Sequence, residues 1–271
     1  MLTRKPVCAG TWYPETRDLI EGYIDKKVKP KDRVTAVACV CPHAGWLYSG
    51  KVAGSVYSTI DVARYDTFVL IGPNHTGHGA GAGIFPEGEW QMPLGKVPVD
   101  DEMVKAIIQF SEFIEPDTRC HANEHCLEVQ IPFIQYFRPD AKIVPIIMMH
   151  DSFDVCADIA NAITSAVKQF KDKKRVLIVA SSDMTHYESR ALAEEKDKMA
   201  INEILKLDAQ CLIKTVVTNG ITMCGVFPVA TVIMAAEHLG AEEASLVSYA
   251  TSGGVTGDYS SVVGYAGLII R

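Results

Sequence analysis

Three histidines in this sequence occupy one kind of position. His43 in "CPHAGWLYSG", His75 in "IGPNHTGHG" and His186 in "SSDMTHY" each come just after an apolar run gives out. A loop pinned by Pro and Gly holds such a ring at modest entropic cost, and neutral imidazole is a ligand for Zn, Fe, Cu or Ni. Cys224, in "TMCG", offers a candidate thiolate, because it precedes an apolar stretch whose first helical N–H groups would favour an anion. Asp183 stands three residues before His186, within reach in a turn. There the carboxylate would fix the imidazole tautomer and tune it as a general base, or both would face a substrate. Taken singly, each of these residues also fits a plain role: His43 and His75 in loops, Cys224 in the core, Asp183 as a helix cap with His186 solvated. Their shared location is what sets them apart.

Other motifs carry less. "HANEH", His121 to His125, matches the H-x-x-E-H pattern of inverted zinc peptidases. The preceding "IEPDTRC" is polar and holds a proline, so a helix over "EHCLEVQIPFIQYF" is predicted to start only near Asn123. That leaves His121 outside the helix and disfavours a peptidase. "GPNHTGHGAGAG" lacks the Lys-Ser/Thr of a P-loop and the dinucleotide-binding order, and reads as close backbone packing around His75. "TSGGVTGDYS", Thr251 to Ser260, is either a pocket-lining loop or a simple turn. No G-x-S-x-G elbow supports a serine hydrolase.

The elements that must position these residues alternate along the chain. "VTAVACVC", "YDTFVLIG", "AKIVPIIMM" and "RVLIVASS" read as strands, the last a nearly continuous apolar run suited to a central parallel strand. Between them lie helices over "GKVAGSVYSTI", "DDEMVKAIIQF" (with Asp100 as N-cap) and "DVCADIANAITSAVKQF". The passage "HTGHGAGAGIFPEGEWQMPLG" contains short apolar pieces of a hairpin or bulged strand pair. A long helix over "ALAEEKDKMAINEILKL" follows, then one over "AQCLIKTVVTNG" closed by glycine, and an apolar helix from Cys224 to His238. "EASLVSYATSGG" and "SVVGYAGLII" are the terminal strands. The order predicts an α/β fold whose central sheet, mostly parallel or mixed and of at least six strands, is flanked by helices. No linker or repeat divides residues 1–271, so one domain is expected. Ligands of open α/β sheets bind beyond the carboxyl ends of strands, so His43, His75 and His186 are expected to converge there on one cleft.

Composition narrows the class. The 271 residues carry a formal net charge of −7, which argues against nucleic acid and anionic membrane surfaces as partners. The cluster "KDKKR" reads as a solvated turn. "GITMCGVFPVATVIMAA", 220–236, is too short and too interrupted by Pro228 for a membrane span. With no secretory segment in evidence, a cytoplasmic protein is expected. The eight cysteines are scattered without a CxxC pair, so neither a zinc ribbon nor a disulfide framework is indicated.

"AGTWYP", "PHAGWLYSG", "IGPNHTG", "NEHCLEVQIPF", "SSDMTHY" and "TMCG", in this order, resemble the Memo family, also called the AmmeMemoRadiSam system B proteins. The resemblance runs from Pro6 to the final strand. It implies a fold like that of LigB-type extradiol dioxygenases, non-haem iron enzymes that cleave aromatic diols. On the family pattern the metal pocket falls on His43, His75 and Cys224, with catalytic Asp183 and His186 beside it. Glu124 and His125 then back the ligands, and His121 plays no part. One transition metal is implied, Fe(II) or Cu in preference to Zn. The activity implied is that of a dioxygenase-like oxidoreductase acting on a small substrate. The alternative is a non-catalytic adaptor that binds a peptide or handles metal. A radical-SAM protein and a small AMMECR-family protein are the partners the family suggests. Cys224 departs from the carboxylate that completes the dioxygenase iron site, and this sets ring cleavage in question.

Overall fold

A computed structural model describes residues 2–149 and 152–271. Its strands begin with β1 (Thr3–Arg4), β2 (Ala38–Cys41), β3 (Thr67–Pro73), β4 (Ala82–Ile84), β5 (Glu89–Met92) and β6 (Gly95–Pro98). They continue with β7 (Glu115–Pro116), β8 (Lys142–Met148), β9 (Val176–Ser181), β10 (His186–Glu188), β11 (Ala244–Thr251) and β12 (Val262–Ile270). The helices are α1 (Arg17–Glu21), α2 (Trp46–Thr59), α3 (Asp101–Phe110), α4 (Ile131–Phe137) and α5 (Phe153–Phe170). After these come α6 (Arg190–Leu205), α7 (Ala209–Thr218), α8 (Val226–His238) and the single turn α9 (Gly253–Thr256).

Nine strands form one mixed sheet, ordered β10-β12-β2-β9-β3-β8-β4-β7, with β11 also paired to β12. The middle four, β2, β9, β3 and β8, run parallel. They are the nearly continuous apolar runs of the sequence, and every residue of β2 and β3 is buried. Such strands are stable only when both faces of the sheet are covered. On one side α8 lies across β2, β9 and β3 and packs against α5, while α2 lies over β2, β11 and β12. A side chain at Gly267 would collide with Val56 of α2, whereas one at Gly264 would collide with Asp197 of α6. Residues an odd number apart on a strand point to opposite faces, so α2 and α6 cover opposite sides of the sheet. The expected α/β architecture is what forms.

Local signals account for several boundaries. The Asp100 carboxylate accepts from the Met103 N–H at 3.3 Å and starts α3 as predicted. Past α7, Gly220 takes φ 55°, the left-handed conformation that ends a helix. The apolar stretch before His238 becomes the buried α8, and among the described residues no helix is long and apolar enough to cross a membrane.

Three expectations need correction. The helix predicted from Glu124 begins only at Ile131, after a short 3-10 turn at Glu128–Gln130. The Glu124 carboxylate turns back on the N–H groups of His125 and Cys126, a local bond that competes with helix formation. Pro132, which cannot donate, then sits where a first helical turn tolerates it. The glycine-rich passage is likewise not one hairpin: β4 joins the main sheet, and only β5 and β6 pair as a hairpin, in a separate sheet with β1. Finally, β9 ends at Ser181, and His186 opens the short strand β10, paired with β12, instead of trailing β9 directly.

Candidate metal centre

Because β2, β9 and β3 are parallel neighbours, the residues after their carboxyl ends meet on one rim of the sheet. His43 follows β2, Asp183 follows β9 and His75 follows β3. The rim opens into a cleft of about 580 Å³ that His43, His75, His125, Asp183 and His186 all line. The expected convergence of His43, His75 and His186 is therefore present in the structure.

His43 is buried, and its Nδ1 lies 3.0 Å from Ser181 Oγ. That hydroxyl spends its single proton on Cys126 O at 2.7 Å, so it accepts from His43 and leaves Nε2 unprotonated. His75 is held at two points by Glu124, which accepts from its backbone N–H at 2.6 Å and from Nδ1 at 2.9 Å. A carboxylate only accepts, so the Nε2 of His75 is also the free nitrogen. His125 Nδ1 lies 3.2 Å from the same carboxylate oxygen. One ring nitrogen from each of His43, His75 and His125 lies within 4.8 Å of the other two. Three imidazoles gathered together, with the Nδ1 of His43 bonded to a hydroxyl and that of His75 to a carboxylate, have the outer support that orients metal-bound histidines.

Electrostatics keep His43 and His125 neutral. Burial, with His75 nearby, pushes His43 down to about 3. Burial and the neighbouring His43 lower His125 to about 4. Burial alone would raise the Glu124 carboxyl, but its hydrogen bond with His75 and the contacts around it hold it at about 2. At neutral pH His43 and His125 therefore offer lone pairs beside the buried Glu124 anion.

Cys224 lies two residues before α8, not within it. Its Sγ is 3.2 Å from His43 Nε2 and accepts from the Asp183 N–H at 3.3 Å. Two ligands of one small metal ion, with bonds of about 2.1 Å to N and 2.3 Å to S, stand roughly 3.1–3.6 Å apart, so the S···N spacing suits shared coordination. The helix start does not activate the thiol as anticipated. Burial and the Asp183 carboxylate raise its pKa, and the Gly225 N–H goes to Ser182 Oγ at 3.0 Å instead of to sulfur. Gly225 is needed there, because a Cβ would sit 2.6 Å from Ser181 O.

Asp183 does not orient His186 as the sequence suggested. Its Oδ1 accepts from the N–H groups of His43 and Ala44, at 2.8 and 3.2 Å, and so pins the His43 loop. Its carboxyl is raised, chiefly by burial. His186 is oriented by Thr222, which takes its Nδ1 proton on the carbonyl at 2.9 Å. Thr222 was missed because nothing in the sequence ties it to a residue 36 positions away. The loop Thr251 to Ser260 lies outside the cleft wall. His121 is buried with Nε2 3.2 Å from Gly83 O, apart from the three-imidazole group, so the two histidines of the H-x-x-E-H pattern do not share a site. The mouth carries aromatic side chains that sequence reasoning did not single out. The Trp12 ring lies 4.2 Å from that of His125, tilted by 48°, and Tyr187, 79% exposed, holds a strained φ of 61°.

Comparison with known proteins is consistent along the whole chain. The sequence profile described as "Memo-like protein" matches residues 4–269. A MEMO1 family protein of Methanocaldococcus jannaschii is 38% identical, with 99% of both chains covered. Those of Thermotoga neapolitana and Desulfurococcus amylolyticus are 39% and 40% identical over 99% of this chain and 100% and 99% of theirs. Among solved structures, an uncharacterized protein from Escherichia coli K12 shares the fold with a TM-score of 0.55 at 12% identity, covering 86% of this chain and 98% of that one.

Proposed function

The chain belongs to the Memo family, and on that footing we propose that it is a transition-metal protein acting as a dioxygenase-like oxidoreductase on a small organic substrate. The observation that carries this reading is the convergence of His43, His75 and His125, with the Nδ1 of His43 and of His75 tied back by hydrogen bonds. His43 and His75 would hold the ion with Cys224, 3.2 Å from His43 Nε2, as third ligand, and His125, whose ring nitrogen groups with theirs, competes for that place. A nitrogen and sulfur set of this kind suits Fe(II), Cu or Zn and disfavours Mg or Ca. Bound iron or copper would supply one-electron and oxygen chemistry to the cleft.

The remaining groups act on the substrate side. His186, with Nδ1 spent on Thr222 O, turns Nε2 toward a ligand as a proton acceptor. Asp183 holds the His43 loop through one oxygen and lines the same cleft. The lack of a carboxylate in the three-imidazole donor group favours a second reading, in which the cleft captures metal or a peptide without turnover. Replacing His186 with Ala separates the two. An enzyme loses turnover in oxygen-consumption assays with iron- or copper-loaded protein while its metal content stays the same. A binding protein keeps metal or peptide exchange at the wild-type level.

A further inference from the structure

The segment that carries Glu124 and His125 has little regular backbone of its own, lying between 3-10 turns at Arg119–His121 and Glu128–Gln130. Its shape depends on partners from elsewhere, because buried backbone groups need hydrogen bonds from some source. Arg4 supplies them. Its Nε donates to His121 O and its Nη2 to Glu124 O, both at 2.7 Å, while Nη1 pairs with Glu128 Oε2 at 2.6 Å. One guanidinium thus grips both ends of the segment, stacked 4.0 Å over the Trp90 ring and 5% exposed. Glu128, at 0% exposure, also accepts from the N–H groups of Val7 and Cys8 and from Tyr13 Oη. Those residues frame Trp12, whose ring rests on His125. A single ion pair therefore fixes the backbone behind His125 and the aromatic side chain in front of it.

Stability alone is a poor reason for such a pair, since desolvating two charges offsets much of their attraction and apolar replacements are often as stable. The planar fork of arginine is suited to fixing several acceptors in one geometry. We infer that Arg4 and Glu128 are positioning residues for the wall formed by His75, Glu124 and His125. The inference rests on the metal-binding reading above.

The test uses the full chain as wild type, Arg4→Met, the milder double variant Arg4→Met/Glu128→Gln, and Lys174→Met. The last breaks an ion pair with Asp100 near Thr67, the first residue of β3, whereas the site follows its last. Cobalt(II) affinity is measured by titration, and imidazole nitrogen NMR of the metal-free protein reports the tautomer of His75, which Glu124 fixes. The Arg4 variants should stay folded, bind cobalt roughly 10- to 100-fold more weakly, as loss of outer-shell support does elsewhere, and lose the single Nδ1–H tautomer. Lys174→Met should lower stability yet keep both readouts. Wild-type affinity and tautomer in a folded Arg4 variant would overturn the inference, as would the same losses in Lys174→Met. Failure of both Arg4 variants to fold would also overturn it, making the pair a determinant of the whole fold. If wild type binds no cobalt, the metal reading fails, and the metal-free tautomer still decides the positioning role.

Discussion

Cys224 and His125 compete for the same place in the donor set, and they differ in the proton they carry. The Cys224 thiol, its pKa raised by burial and by Asp183, must lose a proton to coordinate. His125, held down at about 4 by burial and His43, brings its lone pair at no such cost. If Cys224 coordinates, calorimetry in two buffers near neutral pH should detect release of about one proton per metal bound. Cys224→Ser should abolish that release and weaken binding. The pH profile follows the same logic: with thiolate, affinity falls about tenfold per unit as pH drops from neutrality. If His125 takes that place instead, the one-proton slope of the thiol is absent, since His125 and His43 take up protons only near about 4 and about 3. Equal proton release from wild type and Cys224→Ser would assign the third position to His125. Alkylation gives a separate check, since a coordinated sulfur should be protected by metal and exposed by chelation. Peptide mapping that finds the same slow modification of Cys224 in both states would make it a plain core cysteine.

Helix α3 shows which elements a sequence discloses. Its N-cap and its apolar spacing are local, so both were legible, and the structure adds the partners that make Asp100 costly to lose. Asp100 accepts from Met103 N–H and from Thr67 Oγ1 at 2.5 Å, and pairs with Lys174 at 2.5 Å. Asp100→Ala removes the cap and leaves Lys174 with Glu102, 2.9 Å away, as its remaining carboxylate, so it should cost roughly 1–3 kcal/mol in denaturant unfolding. Asp100→Asn keeps an acceptor and should cost less. Burial alone would raise this carboxyl, but the hydrogen bonds from Lys174 and Thr67 outweigh it and leave it below the ordinary range. A lowered folded-state value adds stability that is present above the unfolded carboxylate range near pH 4 and is lost as pH falls through the folded value. Asp100→Asn should therefore flatten the stability profile below about pH 4, and an unchanged profile would remove the assigned cause. The start of α4 was not legible, for the opposite reason. Glu124 bonds a residue 49 positions back and Glu128 pairs with one 124 back, and no local pattern announces either.

The whole molecule places the site through strand order. Buried apolar runs and their ends could be read directly, and so could the expectation that His43, His75 and His186 share a rim. The order β2, β9, β3 could not, because it is not the order of the chain, and it is what sets Ser181 behind His43 and Asp183 beside its loop. The resemblance placed Glu124 behind the ligands, but its bonds to the His75 ring and to the His125 N–H belong to the folded loops and have no local pattern. A metal bound to the folded state alone must stabilise it by mass action, so the thermal midpoint of wild type should rise with added Fe(II) or Zn and fall back with chelator. The central claim has a more direct test in metal analysis of protein prepared without oxygen or chelator, wild type beside the double variant His75→Ala/Cys224→Ser. The account predicts about one transition-metal ion per wild-type chain and almost none in the folded variant, since it removes two of the ligands a mononuclear site would use. Equal metal content in the two proteins would contradict it.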